Sequence, residues 1–95
     1  MFTLETWQAY IDERYGATDL ARGPSKTFLW FMEEVGELAE ALARLERGEE
    51  VESLLSEEFA DVLAWLTTLA NITGVDLNKA VTDKYIEDGG PQGVK

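Results

Sequence analysis

FMEEVGELAEALARLERG, residues 31–48, is the stretch on which the reading of this chain turns. Its apolar residues recur at three- and four-residue intervals and a glycine ends the run, so it predicts an amphipathic helix and not a strand. Successive residues advance by about 100° around such a helix. Phe28, Phe31, Val35, Leu38, Ala39 and Leu42 then share one wide apolar arc. Glu33, Glu40 and Arg44 fall on the far side, where Glu40 and Arg44 are spaced as an i,i+4 surface pair. Glu34 and Glu37 belong to neither group. With Trp30 and Ala41 they form a stripe bordering the apolar arc, which aims them toward the packed side.

The next helical stretch repeats this arrangement. In EEFADVLAWLTTLANITG, residues 57–74, the main apolar arc is Phe59, Val62, Leu63, Leu66, Leu69 and Ala70, with Leu55 just upstream. A second stripe carries Leu54, Glu58, Asp61, Trp65, Thr68 and Ile72, so two acids share a face with residues that do not belong in water. Glu57 points elsewhere, near Ala60, Ala64 and Asn71. If the two helices form an antiparallel hairpin broken at Gly48, Glu34 and Asp61 lie equally far from the turn, as do Glu37 and Glu58. Four carboxylates then converge on one volume. Like charges so close raise one another's pKa and cannot all ionise without cations. An all-oxygen set suits Mg²⁺, with Mn²⁺ as a substitute. An E-x-x-E pair alone is common on surface helices; E-x-x-E facing E-x-x-D across a hairpin is much more specific.

Outward from this hairpin the periodicity stays helical, which predicts an all-α, four-helix bundle-like protomer. Thr3 caps a first helix over 4–15, with Phe2 and Trp7 as a hydrophobic staple and Leu4, Trp7, Ile11 and Tyr15 as its apolar stripe. GATDLARGPS, 16–25, reads as a loop, and Pro24-Ser25 as the entry to the helix over 26–47. Ser53 or Ser56 caps the third helix, which ends at Gly74. Asp76 caps a fourth over 77–87. Residues 1–88 form a single domain, and 89–95, rich in glycine, a frayed tail.

Composition narrows the chemistry. Ninety-five residues with a net charge of −11 make one acidic domain. That charge opposes a nucleic-acid polymer or an anionic membrane as partner. With no histidine and no cysteine, no imidazole base, thiolate nucleophile or histidine-ligated metal can exist within the chain. The absence of a long apolar run predicts a soluble, cytoplasmic protein. Lys84 extends from the core-facing stripe of the fourth helix, either snorkelling and paired with Asp88 or reaching a phosphate beside the acids. Trp7, Tyr10, Trp30 and Trp65 read as core aromatics.

EEVGELAEAL followed by EEFADVLAWLTTLANITGVDL resembles the MazG-type nucleoside triphosphate pyrophosphohydrolases of the all-α NTP pyrophosphatase superfamily. The matching signature is Glu33-Glu34-x-x-Glu37 and, after twenty residues, Glu58-x-x-Asp61. The resemblance implies Mg²⁺-dependent cleavage of an NTP or dNTP to the monophosphate and pyrophosphate, in the service of clearing non-standard or surplus nucleotides. By matching positions Glu34, Glu37, Glu58 and Asp61 would be catalytic metal ligands, Glu33 a supporting residue and Lys84 a phosphate contact. Where the family continues past that lysine with asparagine and basic residues, this chain has Tyr85, Glu87 and Asp88. The missing cations leave Arg14, Arg22, Lys26 or a neighbouring subunit to meet the triphosphate. The resemblance also implies a homodimer or homotetramer. dUTP/dCTP or phosphoribosyl-ATP specificity stays open, and the competing reading from outside the enzymes is a helical oligomerisation or adaptor module.

Overall fold

The computed structural model describes residues 1–93; Val94 and Lys95, the end of the expected tail, lie outside the described residues. The described chain is all-α and has no strand. Helix α1 spans Leu4–Arg22, α2 Pro24–Glu46 and α3 Glu52–Thr73, and a short α4 spans Leu77–Val81. The chain beyond α4 continues as a π-helical segment, Thr82–Glu87. The fourth element thus has the expected limits but widens halfway. No helix is long and apolar enough to cross a membrane among the described residues.

Local chemistry explains most boundaries. Thr3 caps α1 in a reciprocal box with Thr6, its side chain accepting from the Thr6 N–H at 3.1 Å while Thr6 Oγ1 accepts from the Thr3 N–H at 2.8 Å. Phe2 and Trp7 pack with ring centroids 6.0 Å apart, forming the staple. Asp76 caps α4 by accepting from the Lys79 N–H at 3.0 Å. Gly74 ends α3 in the left-handed conformation that favours glycine.

Four expectations need correction. The segment 16–22, read as loop, is the last two turns of α1, and only Gly23 separates α1 from α2. Gly23 has φ 82° and ψ 166°, a region essentially restricted to glycine, so the chain passes from α1 to α2 in one residue, with Pro24 as the first residue of α2. Neither Ser53 nor Ser56 caps α3; its N-cap is Val51, which makes no side-chain bond and instead anchors the hairpin turn by burial. Arg44 pairs with Glu49 at 3.0 Å, in place of Glu40, and Arg47 joins the same carboxylate at 3.1 Å, so the cations hold the turn. Lys84 forms no ion pair with Asp88 among the described residues; the i,i+4 pair on this element is Lys79–Asp83, at 2.6 Å.

Helices α2 and α3 form the antiparallel hairpin, and α1 lies mainly on α3. Trp7 Nε1 donates to Thr67 Oγ1 at 2.8 Å, and Gln8 binds the α3–α4 turn at Val75 O (2.7 Å) and the Leu77 N–H (2.9 Å). The hairpin register is close to the expected one: Trp30 and Trp65, nearly equidistant from Gly48, stack at 6.4 Å. The burial is not as expected. The interior surfaces carry Thr27, Ala41, Glu58, Thr67, Thr68 and, from the apolar arcs, Ala70, while Phe28 and Phe59 of those arcs stay open, at 51% and 55% exposed. Buried apolar residues among those described are few: Ile11, Ala41, Val51 and Ala70. The radius of gyration, 15.2 Å, exceeds the ~12 Å typical of a compact domain of this length.

Candidate metal centre

The acid-bearing stripes of α2 and α3 face each other, so their carboxylates meet. One oxygen from each of Glu34, Glu37, Glu58 and Asp61 lies within 4.8 Å of the others. Each helix contributes an i,i+3 pair, which sets two carboxylates on one side about one turn apart. Glu58 is buried, Glu34 half-buried, and Glu37 and Asp61 exposed, giving the cluster a closed floor and an open rim. Glu33 points to solvent and borders Lys26 and Trp30.

The electrostatics are strained as they stand. Burial first, then the charges of Glu37 and Asp61, push the Glu34 carboxyl up from 4.5 to about 7. Burial and the neighbouring Glu37 and Asp61 likewise raise Glu58. The Oε2 atoms of Glu34 and Glu58 are buried without a hydrogen-bond partner. An orphaned buried oxygen is costly, and a bound cation would supply the missing interaction. Four oxygen donors, no imidazole and no thiolate fit a hard divalent ion.

The hairpin therefore brings together all four acids singled out from the sequence. It does not bond Lys84 to them. That residue lies on the π-helical segment, exposed, with Nζ 5.8 Å from the Tyr85 ring centroid. Of the other candidate cations, Arg22 is committed to Asp19, at 3.1 Å, and lies over the Trp65 ring at 4.9 Å. Asp19, 3% exposed, escaped the sequence reading because it fell in the supposed loop. Its signal was present: Ile11, Tyr15 and Asp19 continue one stripe at i+4 steps.

An all-α hairpin with opposed E-x-x-E and E-x-x-D pairs defines a class of acidic, metal-competent helical proteins. Within that class the chain belongs to the MazG nucleotide pyrophosphohydrolase domain family, whose model matches residues 22–88, more than half of its length. No curated protein matches the chain.

Proposed function

We propose that the protein hydrolyses a nucleoside or deoxynucleoside triphosphate to the monophosphate and pyrophosphate, with Mg²⁺ held by Glu34, Glu37, Glu58 and Asp61. The observation that carries this reading is the convergence of four carboxylates within 4.8 Å, two of them with buried, unpartnered oxygens. When bound, the ion would neutralise phosphate charge, activate water and stabilise the leaving pyrophosphate. The protein's own residues supply a rigid frame: both pairs stand on long helices whose register is held by the Trp30–Trp65 stack and the turn at Val51. Glu37 and Asp61 form the exposed rim through which a polyphosphate can enter. Attack by water at the α-phosphorus breaks the bond to the bridging oxygen, and pyrophosphate leaves. With no histidine in the chain, the proton released by that water passes to a carboxylate or to solvent. Lys84 is assigned a phosphate contact and Glu33 a supporting place beside Glu34.

The test is a panel of NTPs and dNTPs with Mg²⁺ or Mn²⁺, reading pyrophosphate against orthophosphate. Pyrophosphate release dependent on the ion is expected, and Mg²⁺ with a non-hydrolysable analogue should raise the melting temperature. Orthophosphate alone, or neither turnover nor stabilisation, rejects the reading.

The active form is proposed to be a homodimer or homotetramer. Exposed Phe28, Phe59, Leu63 and Leu66 on α2 and α3, against so few buried apolar residues, leave a protomer short of core that a second copy completes. Sedimentation should show an oligomer, and Phe59→Glu or Leu66→Glu should shift it toward smaller, less stable species. A stable wild-type monomer would overturn this assembly.

A further inference from the structure

Between α1 and α3, one helical turn beyond Asp61, lies a cavity of about 230 Å³ lined by Tyr15, Asp19, Arg22, Ala64, Trp65 and Thr68. Its polar groups are held in place by one another. Asp19 Oδ2 accepts from Thr68 Oγ1 at 3.0 Å and Oδ1 from Arg22 Nη1 at 3.1 Å. Arg22 also donates to the fully buried Thr27 at 3.3 Å and covers Trp65. The rest of the wall is aromatic or aliphatic.

A purely fastening role, tying the end of α1 to α2 and α3, accounts for the ion pair but not for the space beside it. The space is a cleft open to solvent on one side, beside the half-exposed Tyr15, so a ligand can reach it. The cleft is smaller than the roughly 300–1,000 Å³ of pockets that engulf a whole ligand. It suits a single ring system.

We propose that the cavity receives the nucleobase of the nucleotide whose phosphates meet the four acids, with Asp19 accepting an amino N–H of that base. Cytosine, adenine and guanine are then preferred over uracil and thymine. The inference rests on the hydrolase reading above. Placement supports it: Trp65 belongs to the cavity wall and stands one turn from Asp61, and only a ribose separates a base from its α-phosphate. Chemistry supports it too. A carboxylate is acceptor-only with about four lone-pair sites, so Asp19 has capacity left after its two bonds. Uracil and thymine offer one ring N–H between two carbonyls, which a carboxylate repels; an amino group offers an N–H clear of them. Arg22 keeps further N–H donors for a ring acceptor beside that amino group. This assigns Arg22 to the base side of the nucleotide and removes it from the cations available to the triphosphate.

The test compares kcat/KM for CTP, ATP, GTP and UTP with Mg²⁺ in the wild type and in Asp19→Asn. The wild type should favour the amino-bearing bases. Asp19→Asn keeps the shape while replacing an acceptor oxygen by a donor, so the ratio to UTP should fall by about tenfold or more, the scale of one side-chain–base contact. An equal loss for all four, the mark of a fastening role, or no loss, overturns the proposal. Should Asp19→Asn fail to fold, Ala64→Leu fills the cavity from α3 without touching the Asp19 network; a raised KM with kcat little changed is expected, and an unchanged KM overturns it. Phosphate-free cytidine and uridine, titrated without metal against the Trp65 indole N–H resonance, separate the two readings. A shift with cytidine and not uridine supports the base pocket even if no triphosphate is cleaved. Cleavage with no base preference and no nucleoside-induced shift sinks the pocket and leaves the hydrolase standing.

Discussion

Glu37→Gln or Asp61→Asn is expected to abolish Mg²⁺-dependent pyrophosphate release while leaving the helical content unchanged. Both residues are exposed members of the cluster, so an isosteric amide removes a charge without opening a hole. Neither forms an ion pair among the described residues, so no internal partner is orphaned by the change. What is lost is an anionic oxygen donor, and an amide oxygen is a weak replacement for a divalent ion. Losing an outer partner of a metal ligand already costs about 10–100-fold, so losing a ligand should cost more than about 100-fold in kcat/KM. Pyrophosphate release at fixed substrate across a Mg²⁺ titration, with circular dichroism in parallel, measures both halves. Undiminished turnover in both variants would remove these carboxylates from the site.

Without divalent cations, stability should fall as pH rises from about 4.5 to about 7. Glu34 titrates at 4.5 when unfolded and at about 7 in the folded chain. Between those values the folded state holds a proton that the unfolded state has released, so raising the pH favours unfolding. Below 4.5 both states are protonated and the effect vanishes; above 7 it is complete. The gap sets a ceiling of about 3.5 kcal/mol, at about 1.4 kcal/mol per tenfold, and solvent screening at the open rim lowers the realised share to roughly 1–2 kcal/mol. For a chain of this size that is on the order of 5–15 °C in melting temperature. Glu34→Gln should flatten the slope and melt higher than wild type at pH 8 in EDTA. The general repulsion of a −11 chain acts on both proteins, so their difference isolates the carboxyl. Mg²⁺ at pH 8 should recover the lost stability of the wild type and add little to the variant. Equal slopes in the two proteins would show that Glu34 is not the titrating group.

The site was more legible than the fold around it. Helical periodicity assigns residues to faces, and an antiparallel hairpin pairs positions equidistant from its turn. The observed turn, 47–51, is centred only slightly beyond the expected one, and so Glu34, Glu37, Glu58 and Asp61 meet as anticipated. Misread segments were those where local cues and tertiary partners disagree. Gly16, Asp19 and Gly23 look like a loop, yet Asp19 is held helical and buried by Thr68 on a helix forty-nine residues away. No local rule anticipates that bond. Ser53 and Ser56 were reasonable caps, displaced because burying Val51 outweighs a surface hydrogen bond of about 1 kcal/mol.

The sequence by itself determined the helices, the hairpin and its register, and the equivalence of two acidic doublets that each turn one member inward. These follow from a fixed 3.6-residue period and a glycine break, which are local and geometric. Only the tertiary structure decided which face becomes interior. Two stripes on each helix were apolar enough to bury, and periodicity cannot rank them. The packing of α2 on α3 enclosed Glu58 and that of α1 on α3 enclosed Thr67 and Thr68, leaving Phe28 and Phe59 outside and a cavity beside Asp19. Burial is a property of how three helices meet, and no single helix contains that information.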